Sequence, residues 1–225
     1  MRSISRTLDR GPLRDIALVC LAVGVVGLSY GATAVASGFP LWLPALLGVL
    51  VLAASSEFTF IGIIAAGGNP IAAVLAGLAV NARHLPFGLA LPDVLGQGWR
   101  RLLGTHLMND ESVVFAMAQE GGARKRAAYW ACGLGILICW PLGALAGGLA
   151  GTVVDDTGVL GLDAMFPAIL LALILPAFRD RDKRHAALAG AVIALVTTPF
   201  LPAGLPVLLS LAGLAVIVTR QEAHR

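Results

Sequence analysis

Residues 16–56 read IALVCLAVGVVGLSYGATAVA, then SGFP, then LWLPALLGVLVLAASS. No Asp, Glu, Lys or Arg interrupts the chain between Asp15 and Glu57. Working outward, the same holds between Glu57 and Arg83, between Arg126 and Asp155, between Asp163 and Arg179, and from Ala186 to Thr219. A helix needs about 20 mostly apolar residues to cross ~30 Å of hydrocarbon. Only helices and closed barrels cross at all, because lipid offers backbone groups no hydrogen bonds. Barrel strands alternate polar and apolar residues, and these runs do not. They predict an all-α polytopic membrane bundle of about 7–8 transmembrane segments, some short or broken, forming one domain over residues 1–225.

Composition agrees. Apolar residues make up 58% of the 225 and charged residues 13%, against about 45–50% and about 25% in soluble domains. The net charge of +3 does not require nucleic acid. A nucleic-acid binder gathers its basic residues on a patch, whereas here they sit in short loops as topology signals. Cys20, Cys132 and Cys139 all fall in apolar runs. They are odd in number and lack metal-ligand spacing, so they read as buried small hydrophobes. No metal or other cofactor is expected. Arg2, Arg6, Arg10 and Arg14 precede the first apolar run. That run exceeds the 7–15 residues of a signal-peptide core, so a retained first helix is expected.

Gly, Pro and charge punctuate the spans. The expected spans are Leu13–Ala36, Trp42–Ala66, Ile71–Leu91, Ala127–Thr152, Leu162–Phe178, Ala186–Thr198 and Leu205–Thr219, with a short polar-studded stretch at Thr105–Gln119. Residues 1–12 form an N-terminal segment, 92–104 a polar loop carrying Asp93, Arg100 and Arg101, and 220–225 a tail. The basic cluster Arg124-Lys125-Arg126 is expected between spans, as is the basic loop Arg179–His185. Lys and Arg favour the cytoplasmic side. Both termini are therefore expected in the cytoplasm of a cell with an inner membrane, and the acidic 153–163 loop outside. Eight passes fit this pattern if Thr105–Gln119 crosses, with Arg100 and Arg101 then outside; if it is re-entrant, the count falls to seven and the alternation must shift elsewhere. Gly143, Gly147 and Gly151 recur every four residues, a small-residue face for close helix packing.

Ionisable groups inside spans are costly and mark functional candidates. Three sets stand out. The first is Asn81-Ala82-Arg83-His84-Leu85-Pro86 in the third span. Asn81 lies about 15 Å into that span at 1.5 Å per residue. Pro86 has no N–H, so the carbonyl of Ala82 is expected to lack its helical partner. Gly77, Asn81, His84 and Gly88 would share one face of a regular helix, with Arg83 pointing elsewhere. Arg83 either binds a polar solute with an acid nearby or snorkels to the interface. The second set is Ser55-Ser56-Glu57-Phe58, whose lone acid can carry a proton, pair with Arg83, bind a substrate amine or make a structural hydrogen bond. The third is His106 to Glu111, where Asp110 and Glu111 either face inward toward Arg83 or His84 or stay interfacial. Ser56, Glu57, Asn81, Arg83, His84, Asp110 and Glu111 are thus the candidate site.

Enzyme signatures such as G-x-S-x-G, H-E-x-x-H and the P-loop lysine do not occur in the sequence, nor is there room for a nucleotide domain among these spans. Read in order, the segments resemble the AzlC family, the large subunits of branched-chain amino acid export permeases. The resemblance runs through Gly27-Leu28-Ser29-Tyr30-Gly31-Ala32, Ser55-Ser56-Glu57-Phe58, Val80-Asn81-Ala82-Arg83-His84, Asn109-Asp110-Glu111 and Trp140 with the Gly143–Gly151 run. The element Val80–His84 is the most specific. Two departures stand out: Glu57 where the family leads one to expect Gln, and Asn109 where it leads one to expect Thr. The resemblance implies a secondary transporter, a small AzlD-type membrane partner, and export of branched-chain or related amino acids. The competing readings are an intramembrane enzyme built on His84 and nearby acids, and a non-transporting accessory subunit.

Overall fold

A computed structural model of the chain describes residues 7–152, 171, 175–202 and 204–215. The acidic 153–163 loop, most of the span expected over Leu162–Phe178 and the basic tail with Arg220 and Arg225 lie outside them. The described residues are helical, with no strand among them. Among the described residues, three stretches are long and apolar enough to cross a membrane: Arg10–Ala36, Pro70–Ala90 and Gly122–Gly151. The chain is a helical membrane protein.

Contacts gather the chain into two compact units, Met1–Glu57 with Asn81–Asp163, and Phe58–Val80 with Ala164–Arg225. In chain order the helices are α1 (Arg10–Ala36), α2 (Trp42–Leu50), α3 (Ala54–Ala65), α4 (Pro70–Asn81), α5 (His84–Ala90), α6 (Trp99–His106), α7 (Asp110–Met117), α8 (Gly122–Gly151), α9 (Arg181–Thr197) and α10 (Leu205–Leu209).

The first unit is organised on α1 against α8. The small-residue face expected on α8 is used in full. A Cβ added to Gly143 would overlap the carbonyl of Gly24, one on Gly147 the carbonyl of Leu28, and one on Gly151 would lie 3.1 Å from Ala32. The contacts climb both helices in steps of four. From the other side, a Cβ on Gly31 would overlap the carbonyl of Ala144. The two backbones therefore touch. Lipid tails are as apolar as Leu, so such helices associate through close packing rather than through the hydrophobic effect.

The start of α8 secures α6 and the segment that leads into it. Tyr129 Oη donates to the carbonyl of Gly104 at 2.7 Å, Trp130 Nε1 to that of Val94 at 3.0 Å, and Arg126 to that of Asp93 at 2.7 Å. In the second unit, Ile63, Ala73 and Ala76 pack with Phe60, Ile64 and Leu208. Asp180 caps α9 by accepting from the N–H groups of Asp182 and Lys183.

Several boundaries differ from the sequence reading. The basic cluster 124–126 belongs to the first turns of α8, and Arg181–His185 to those of α9. Cationic side chains tolerate a helix start when they reach solvent, so charge alone does not end a helix. The loop expected over 92–104 gives way to α6 from Trp99. The stretch Thr105–Gln119 holds the end of α6, a break and α7. At 8 residues, α7 is roughly 12 Å long and too short to cross alone.

Candidate functional site

Within the first unit, three of the gaps between helices are only two or three residues long, at 51–53, at Ala82–Arg83 and at 107–109. The expected second span, Trp42–Ala66, is thus two helices. Leu52 takes φ of +52° and is buried. The left-handed region costs an L-residue roughly 1–2 kcal/mol, so its surroundings must hold it. Glu57 does much of that holding. Its Oε1 accepts from the N–H of Ala53 at 2.9 Å, while Ser56 Oγ donates to the carbonyl of Ala53 at 2.9 Å. Ala53, next to the strained residue, is pinned at both ends.

Glu57 is 2% exposed. Trp140 Nε1 of α8 donates to both of its oxygens, at 3.2 and 3.1 Å. Tyr30 of α1 stacks on Trp140 with ring centroids 5.1 Å apart, and its hydroxyl lies beside the carboxyl. The pairing of Glu57 with Arg83 is not found: Glu57 makes no salt bridge among the described residues.

The acid that meets Arg83 is Asp110. Arg83 Nη2 lies 3.1 Å from Asp110 Oδ2 and donates to Ser55 Oγ at 3.2 Å. One guanidinium therefore ties the break after α4 to the first turns of α3 and α7. A second tie joins the other two breaks. His106 Nε2 lies 2.8 Å from the carbonyl of Val49 near the end of α2. A carbonyl only accepts, so this nitrogen carries the hydrogen. Glu111 stands beside Asp110, half-buried, without a salt bridge among the described residues.

Asn109 begins α7 as its N-cap. Its Oδ1 accepts from the N–H of Ser112 at 2.8 Å, and Ser112 Oγ accepts from the N–H of Asn109 at 3.1 Å. Asn and Thr are both favoured N-caps, so the Asn109 departure preserves the role a Thr would have here.

The third break corrects one expectation. The carbonyl of Ala82 is not free, because the N–H of Leu85 donates to it at 3.1 Å. The chain answers Pro86 with a tighter i to i+3 turn, which satisfies the carbonyl and ends α4 at Asn81. The shared face of Gly77, Asn81, His84 and Gly88 presumed a regular helix and is interrupted at the same point. What the break leaves open lies on the side chains. Asn81 Oδ1, Arg83 Nε and His84 Nε2 are buried atoms with no hydrogen-bond partner among the described residues. Buried polar atoms in folded proteins are nearly all paired, so three orphans within four residues set this break apart as the candidate site.

Of the expected residues, Asn81, Arg83, His84 and Asp110 gather at this break, Glu111 adjoins them, and Ser56 and Glu57 shape the α2–α3 break. The sequence reading assigned no chemical role to Trp140, Tyr30 or Ser55. The lone acid at Glu57 was the available signal, since a buried carboxylate must find donors somewhere.

A family model described as AzlC protein matches residues 18–154. The chain is 27% identical over 168 residues to the branched-chain amino acid transport protein AzlC of Bacillus subtilis, covering 73% of this chain and 66% of that one. It is 29% identical over 175 residues to an uncharacterized membrane protein of Haemophilus influenzae, covering 76% and 71%. An uncharacterized membrane protein of Helicobacter pylori is 24% identical over 184 residues, with 79% of each chain covered. No solved structure matches.

Proposed function

The chain belongs to the AzlC family of membrane transport proteins, and we propose that it is the large subunit of a secondary exporter of branched-chain or related hydrophobic amino acids. The observation that carries this reading is the orphan set at the α4–α5 break. Arg83 Nε is a donor, Asn81 Oδ1 an acceptor, and His84 Nε2 either one according to tautomer. A zwitterionic amino acid needs both kinds. Its carboxylate suits the guanidinium, and its ammonium suits Asn81 with the Asp110 and Glu111 carboxylates beside it. Broken helices around a midplane site are a recurring transporter arrangement. Ser56 and Glu57 hold the neighbouring break rather than touching the guest.

The substrate class follows the name of the Bacillus relative, and the direction follows the family resemblance. A small AzlD-type membrane subunit completes the permease in this reading. Both termini face the cytoplasm across an inner membrane. Counterflow of labelled leucine in proteoliposomes tests the proposal, with and without the co-expressed small subunit. Counterflow that needs both chains is expected. Full counterflow by the single chain overturns the partner, and none with either preparation overturns leucine transport.

A further inference from the structure

We infer that Glu57 is a proton-binding site that sets the conformation of the α2–α3 break and so couples the Arg83 site to protons; this rests on the transport reading above.

Glu57 lies in a charge-free stretch, shielded from solvent, with no cation bonded to it among the described residues. The groups that face it are Tyr30 from α1, which is titratable, Trp140 from α8, which is not, and the N–H of Ala53 at the break itself. Two opposing effects act on the carboxyl. An unpaired anion in apolar surroundings is costly, which favours the neutral acid. Three donors converging on it favour the anion. A carboxylate accepts from all of them, whereas the acid carries an O–H of its own and keeps less acceptor capacity. With Oε2 protonated, its contact with Trp140 is weakened and Oε1, now the carbonyl oxygen of a neutral acid, holds the Ala53 N–H less strongly than a carboxylate oxygen does.

The Ala53 bond is the one that matters downstream. It holds the residue that follows Leu52, whose backbone is strained. Loosening it lets the start of α3 shift, and Ser55 on that turn accepts from Arg83. A proton arriving at Glu57 is thereby felt, through Ser55, at the Arg83 guanidinium. The step itself is an O–H bond formed with a proton taken from water on one side and broken to return it on the other. No other bond changes. Proton binding biases an element with two arrangements, the physical requirement for coupling between sites.

The test uses both subunits in proteoliposomes with labelled leucine, measuring counterflow at equal pH and accumulation driven by an imposed pH difference. The variant is Glu57→Gln, which keeps the shape and an acceptor oxygen but binds no proton. The expected result is counterflow within about twofold of wild type and driven accumulation at least about tenfold lower, a typical coupling magnitude. Undiminished pH-driven accumulation in Glu57→Gln overturns the inference, as does wild-type accumulation indifferent to the pH difference. Absent wild-type counterflow strikes the transport reading instead. In that case, or if the variant loses counterflow too, infrared difference spectra of the purified protein decide. A carboxylic-acid carbonyl band that grows in wild type as pH falls, and is missing from Glu57→Gln, supports proton binding. The same band in both, or in neither, overturns it.

Discussion

The seam between α1 and α8 and the cluster of three helix breaks lie in the same compact unit, yet they solve opposite problems. Along the seam, both helices run unbroken for at least 27 residues, and glycines bring backbone onto backbone. Nothing there has a second arrangement, since a shift of one helix along the other would drive a side chain into a carbonyl. At the breaks the helices are short, one residue is in the left-handed region, and three polar atoms have no partner among the described residues. Such a region has hydrogen-bonding capacity to spare. The contrast shows how this chain is divided: close packing of small residues stabilises the seam in lipid, and the unpartnered polar atoms at Asn81, Arg83 and His84 stand at a break.

The sharpest way to break this comparison is at the seam. Gly147→Leu puts a side chain where the Leu28 backbone sits. Overpacking against movable side chains costs about 1–3 kcal/mol, and backbone cannot move aside as they do. No folded protein should be recovered by size-exclusion chromatography after detergent extraction. Wild-type yield and melting would show that the seam is not the scaffold.

At the breaks, the expected loss is of transport rather than folding. Arg83→Ala removes charged hydrogen bonds worth about 1.5–3 kcal/mol each, roughly 10–150-fold in substrate affinity. Labelled-leucine counterflow should fall to background while the extracted protein still elutes as folded. Normal transport would mean that Arg83 serves the membrane interface. Arg83→Lys keeps the charge but loses the planar fork. Its loss should be smaller, about tenfold, one lost hydrogen bond of about 1.4 kcal/mol. Equal activity of Lys and Arg would reduce the site to a point charge.

The smallest effect separates support from function. Tyr129→Phe deletes the bond to Gly104 and should cost about 1 kcal/mol, lowering the melting temperature by about 2–4 °C. Transport should be unchanged. A large transport defect with an unchanged melting point would place α6 in the moving part.

The sequence by itself determined the class, because an uncharged run such as 16–56 has no soluble alternative and does not alternate as a barrel would. It determined α1 and the bulk of α8 for the same reason, and it marked the glycine face, since a period of four is a property of one helix. It also marked Arg83, His84, Asn81 and Asp110, because charge or amide groups in or beside an apolar span are rare. The tertiary structure alone decided how these residues meet. Nothing between Val49 and Ser56 is Gly or Pro, so the break at 51–53 had no local signal. It exists because Glu57 reaches back to Ala53 and is met by Trp140, 83 residues away in sequence. Likewise three acids were open to Arg83, and only packing chose Asp110. Hydrophobicity is carried by each residue and can be read along the chain. A hydrogen-bond partner is a position in space, settled only when helices distant in sequence lie side by side.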